Sequence, residues 1–148
     1  MILEGLLTAL TETAVFSTLL NTLRAERVAE DQDVLRAARP FVVAGLAAHL
    51  ERPVLVITGR NDRAYNIAQQ LPVWLPGAEI SRFEEPTPMF YERAPWSEAT
   101  RQARLHTLGL LMDGPAEGAP LLVISSARAL MQKTLPRASF AWGRASYG

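Results

Sequence analysis

The chain of 148 residues is 49% hydrophobic and 20% charged, the balance of an ordinary globular protein with one well-buried core. Fifteen basic and fifteen acidic residues cancel, which argues against a domain whose main work is gripping phosphate backbones. There is no cysteine, so disulfides and thiolate metal sites are excluded; the two histidines, His49 and His106, are far apart, have no acidic pattern beside them, and read as helix-surface residues.

Residues 2–24 have helical periodicity. Leu3, Leu6, Leu7, Leu10 and Ala14 share one face, and Leu19, Leu20 and Leu23 continue it in a shifted register. The polar face carries Glu4 and Glu12 rather than a basic cluster, so the segment reads as a helix packed on the domain, not on a membrane. The N-terminus has no basic stretch followed by a small-residue cleavage site, and no apolar run approaches the ~20 residues of a membrane span. The expected location is the cytoplasm. The charged stretch Arg24–Asp33 reads as a loop, closing an N-terminal helical segment over 1–33.

A second helix is expected from Pro40 to about Leu50, with proline at the first helical position, where its missing N–H costs nothing. "PVLVIT", Pro53–Thr58, is a short apolar, β-branched run, the mark of a strand buried on both faces of a parallel sheet. In "GRNDRAYNIAQQL", Ala64, Ile67, Ala68 and Leu71 fall at i, i+3, i+4 and i+7, and Pro72 should end or kink that helix. "AEISRF", Ala78–Phe83, reads as a second strand, followed by a loop rich in proline and aromatics. Ser97–Met112 reads as a helix capped by Ser97, with Leu105, Leu108 and Met112 on its buried stripe. "LLVIS", Leu121–Ser125, repeats the buried-strand signature, and Ser126 is placed to cap a short helix reaching Lys133. Helices alternating with short apolar strands predict an α/β three-layer sandwich with a mainly parallel sheet and right-handed crossovers.

That order places the loop before the second helix, Val34–Pro40, where a nucleotide-binding domain holds phosphates. Such a loop needs glycines whose amides curl around the phosphates, a lysine for the β/γ oxygens and a hydroxyl for Mg²⁺. Here the glycine positions fall on Arg36 and Ala38, the lysine position on Arg39 and the hydroxyl position on Pro40. Arg39 can attract an anion, but Pro40 neither ligates Mg²⁺ nor supplies an amide. No G-x-G-x-x-G is present, and Gly45 and Gly59 read as a close-packing site and a strand-end turn. Glu84 and Glu85 read as a solvated loop edge rather than a catalytic pair, since adjacent loop residues point in different directions. No catalytic residue and no metal ligand set emerges.

Three blocks, "RPVLVITGRNDRAYNIAQQL", "FEEPTPMFYERAPWSEATRQARLHTLGLL" and "PLLVISSARALMQKTLP", together resemble a known family. The chain is similar to the N-terminal module of the bacterial transcription-repair coupling factor, itself similar to the first domain of the excision-repair helicase subunit UvrB. The likeness covers about Val34–Phe140. Its loop is represented by Phe83, Glu84, Glu85, Pro86, Pro88, Tyr91 and Pro95, its helix by Arg104, Leu105, Leu108 and Leu111, and its last element by Ala129, Leu130, Gln132 and Pro136. The tryptophan–glutamate pair often found in the loop stands here as Glu84–Glu85.

The resemblance implies a degenerate P-loop NTPase or helicase-like domain over 34–136, with 137–148 beginning a following, truncated domain. It implies a non-catalytic scaffold inside an ATP-dependent DNA translocase that displaces stalled RNA polymerase and recruits UvrA, mainly through that following domain. The fragment would need no cofactor, ATP and Mg²⁺ being used by the motor elsewhere, and contacts with neighbouring domains would keep the machine autoinhibited. The missing phosphate loop fits the coupling factor and counts against an active UvrB. Two rival readings stand beside this one: an active nucleotide-binding helicase domain, and a small module binding a nucleotide or other ligand at the strand ends. Arg60, Arg63 and Arg101, near the strand ends, are the candidates for partner or phosphate contact. Phe90, Tyr91 and Trp96 are expected to anchor the proline-rich loop by packing.

Overall fold

In a computed structural model of the chain, the residues described are 2–86, 96–116, 118–134 and 136–138, with side chains from residue 5 onward. Phe90, Tyr91, Pro88 and Pro95 and nearly all of 137–148 lie outside them. The elements are α1 (Ile2–Thr11), α2 (Ala14–Arg24), a 3₁₀ turn (Arg36–Ala38), α3 (Arg39–His49), β1 (Val54–Thr58), α4 (Asn61–Trp74), β2 (Glu79–Phe83), α5 (Glu98–Asp113), β3 (Leu121–Ser126) and α6 (Ala127–Leu130). The protein is α/β: three parallel strands in the order β1-β3-β2, with helices packed on the sheet.

Central β3 is buried along its whole length, as its unbroken apolar run demands. Its side chains alternate between the two faces. Leu122 and Ile124 meet Ala64, Ala68 and Leu71 of α4 and Ala44 and Ala47 of α3, with Leu7 of α1 closing that core. Leu121 and Val123 join Phe83 on the opposite face, where Leu108 and Leu110 of α5 pack. Two crossovers of one hand explain this: the step from β1 to β2 and the return to β3 run in opposite directions, so their helices fall on opposite faces.

β1 corrects the expectation of a strand buried on both faces. It is an edge strand whose Val54 and Val56 point into the α3/α4 core, while Leu55 and Ile57 on the other face are 51% and 55% exposed. β-branched composition therefore marked a strand, but not its place in the sheet.

The shift in register within 2–24 is a break. α1 and α2 meet at 77° across Glu12 and Thr13. The Thr13 hydroxyl and backbone amide both donate to the Leu10 carbonyl, closing α1. α2 then buries Phe16 and Leu20. Gly45 makes this possible: a Cβ there would lie 2.7 Å from Leu10 Cδ2 and 3.1 Å from Phe16 Cζ. No single helix is long and apolar enough to cross a membrane among the described residues.

α4 passes Pro72 and ends two residues on, at Trp74; the expectations for α5 and α6 change. The buried positions of α5 are Thr100, Arg104 and Thr107, while Leu105 is 44% exposed and Leu108 and Met112 are half-buried. The Thr107 hydroxyl shares a 2.8 Å hydrogen bond with Ser81 of β2 and donates to the Ala103 carbonyl, so a polar contact joins Leu108 and Leu110 in seating α5 on the sheet. Ser97 and Ser126 cap α5 and α6 as expected, accepting from the amides of Thr100 and Ala129, and α6 stops at Leu130 rather than reaching Lys133.

Candidate functional site

α3 and α4 both begin at the carboxyl end of β1, and between their first turns lies a cleft of about 1020 Å³. The turn that enters α3 is tight. Leu35 is extended, Arg36–Ala38 form one 3₁₀ turn, and the amides of Ala38 and Arg39 donate back to the carbonyls of Leu35 and Arg36. Every φ from Val34 to Pro40 is negative, as expected where no glycine is present. Pro40 follows, buried and without an N–H. Of the amides entering α3, those of Ala38 and Arg39 are therefore bonded inside the turn, and Pro40 has none.

What the cleft presents is side-chain charge. Arg36 and Arg39 flank it from the turn and the start of α3, Arg60 and Arg63 from the start of α4. A single carboxylate, Asp62, faces these four arginines across its rim, and Arg60 Nε holds it at 3.1 Å. Arg39 Nε donates to the Val34 carbonyl at 3.3 Å. Arg36 and Arg63 make no ion pair among the described residues. The floor is apolar, formed by Val42, Val43, Val56 and Ile67. Thr58, the one hydroxyl on the strand side, is committed to the carbonyls of Arg60 and Ser125. This arrangement can hold an anion through guanidinium forks. It sets no base beside a nucleophile.

The structure thus gathers Arg36, Arg39, Arg60 and Arg63 into one cleft, with Pro40 behind them, and leaves Ala38 out of its lining. Arg101 is not part of it. It sits on α5, on the other face, paired with Glu98, beside a separate groove of about 410 Å³ that Trp96, Arg104 and Lys133 also line. His49 is tied through Nδ1 to the Gly45 carbonyl at 2.8 Å, and His106 is exposed on α5. No group of three His, Asp or Glu side chains that could hold a metal ion occurs among the described residues.

Glu85 is not a solvated loop edge. Its side chain is 14% exposed; one oxygen accepts from the Ser126 hydroxyl at 2.7 Å and the other pairs with Arg128 at 2.9 Å. Glu84 turns instead to Arg82. The two do point apart, as adjacent residues should, but Glu85 fastens the end of β2 to the end of β3. Trp96 lies against α5, its ring 4.9 Å from the Arg104 guanidinium; Phe90 and Tyr91 lie outside the described residues. Comparison with known proteins returns no match: no family model, no curated protein and no solved structure is similar to this chain.

Proposed function

We propose that the chain is a non-catalytic domain of the kind found at the N-terminus of the bacterial transcription-repair coupling factor, a degenerate helicase-like fold serving as scaffold. In this reading the whole protein is an ATP-driven DNA translocase of the cytoplasm that displaces stalled RNA polymerase and recruits UvrA. The domain carries the neighbouring UvrA-binding domain and contributes contacts that hold the machine inactive.

The observation that carries the reading is the turn into α3. An active relative needs free amides, a lysine and a hydroxyl at this place, whereas here the amides of Ala38 and Arg39 are bonded within the turn and Pro40 has none. A fold that keeps the α/β layout while this turn is closed is better suited to holding neighbours than to hydrolysing nucleotide. The parallel sheet with helices packed on it is compatible with the α/β layout that the resemblance implies.

The test is co-precipitation of UvrA with this chain and with a longer form that includes the sequence following it. The longer form is expected to retain UvrA and the chain alone to retain little. Failure of both would remove the family reading.

A further inference from the structure

We propose that the arginine-lined cleft is a docking site for an extended acidic segment of a partner protein, one that carries apolar side chains between its carboxylates. The proposal stands on the cleft alone and survives failure of the family reading.

Charge is the first argument. The chain as a whole is neutral, yet four of its fifteen basic residues face one cleft against one carboxylate. Arg39 and Arg63 stand on the first turns of α3 and α4, Arg60 at the N-cap of α4 and Arg36 in the 3₁₀ turn leading into α3, at the positive ends of the two helix dipoles, where cations are least welcome. Local helix stability does not favour arginine there, and an anionic occupant would relieve the repulsion. Arg36 and Arg63 have no partner among the described residues, and the acidic residues just upstream, Glu30, Asp31 and Asp33, make no ion pair with them.

The choice of carboxylate over phosphate follows from the rest of the lining. The turn offers no glycine-lined phosphate cradle: the amides of Ala38 and Arg39 are bonded within it and Pro40 has none. A nucleic-acid strand would look for aromatic rings to stack on, and none lines the cleft. The floor of Val42, Val56 and Ile67 offers a place for aliphatic side chains instead. The cleft also runs along the outer edge of β1, where no strand is paired among the described residues and Val56, Ile57 and Thr58 line its wall. An extended peptide can use such an edge for main-chain hydrogen bonds while its side chains alternate between floor and rim. Guanidinium forks at the rim match carboxylates two at a time.

The experiment is selection of a random-peptide display library on the full chain, followed by fluorescence anisotropy of the enriched peptides. Enriched sequences are expected to alternate Asp or Glu with Val, Ile or Leu. Their affinity should fall by about tenfold or more in the double variant Arg36→Ala/Arg63→Ala, and with added salt. Both arginines are exposed, so this variant is expected to melt no lower than the wild type, and Arg101→Ala on the far face should bind as the wild type does. Enrichment without acidic bias, or affinity unchanged in the double variant, would overturn the proposal. So would displacement of the selected peptide by oligothymidine or tripolyphosphate at lower concentration than by unlabelled peptide, which would mark a phosphate site.

Discussion

The guanidinium of Arg104 lies over the ring of Phe83, 3.8 Å from its centroid, and is 3% exposed. Its Nη1 donates to the carbonyls of Glu84 at 2.9 Å and Ala129 at 3.1 Å, so one side chain on α5 holds the residue after β2 and the last turn of α6. Trp96 closes the other side. Burial pushes the pKa of this guanidinium below its ordinary value, and Nη2 finds no acceptor among the described residues. The geometry still favours arginine, because a planar guanidinium stacks on the ring while its Nη1 reaches both carbonyls. Arg104→Lys keeps the charge and loses this fork, so a destabilisation of about 1–3 kcal/mol is expected by urea unfolding. A change below about 0.5 kcal/mol would mean that the contacts carry no net stability.

Gly45 and Gly109 make a matched pair. Both lie within helices, but a Cβ at Gly45 meets Leu10 and Phe16 while one at Gly109 meets nothing within 4 Å. Gly45→Val is expected to cost about 1–3 kcal/mol by forcing α1 and α2 away from α3. Gly109→Ala should stabilise by about 0.5–1 kcal/mol, through helix propensity alone. Thermal melting of the two variants in opposite directions checks the packing; a shared direction contradicts it.

Leu55 and Leu122 occupy paired strands one residue out of register, in opposite environments. Leu122→Ala should cost about 2–5 kcal/mol through the cavity it leaves under α4. Leu55→Ser, on the open face of β1, should stay within about 1 kcal/mol. Equal losses in denaturant titration would show that the open face is covered in solution.

The layout of the fold was legible because its signals are local. Alternation of apolar strands with 3.6-period helices, the caps at Ser97 and Ser126 and the proline start of α3 depend only on near neighbours in sequence. Three features were not legible, each for a long-range reason. The exposure of Leu55 and Ile57 follows from β1 lying at a sheet edge, which its own residues do not encode. Glu85 reads as a polar loop residue until Ser126 and Arg128, more than forty positions away, are brought against it. Arg104 stands one turn before Leu108, beside the expected stripe, but its near neighbours in sequence do not show the carbonyls of Glu84 and Ala129 and the ring of Phe83 against which it is buried.

The candidate site was half legible. Arg39, Arg60 and Arg63 could be picked out as charges near strand or helix ends, and Arg36 appeared only as a misplaced glycine position. That all four share one cleft depends on α3 and α4 starting side by side at the end of β1, a tertiary fact. Arg101 met the same sequence criterion and lies on the opposite face of the sheet.

With the amides of Ala38 and Arg39 bonded within the turn and none at Pro40, the stretch from Leu35 to Pro40 is expected not to wrap a nucleoside triphosphate with its metal. Isothermal titration of the full chain with ATP, with and without Mg²⁺, is the check. No saturable heat that depends on Mg²⁺, and no thermal stabilisation by Mg-ATP beyond that given by other polyanions, is expected. Mg²⁺-dependent saturation, with the stabilisation of ~2.7 kcal/mol expected at a hundredfold excess over Kd and loss of both in Arg39→Ala, would contradict it.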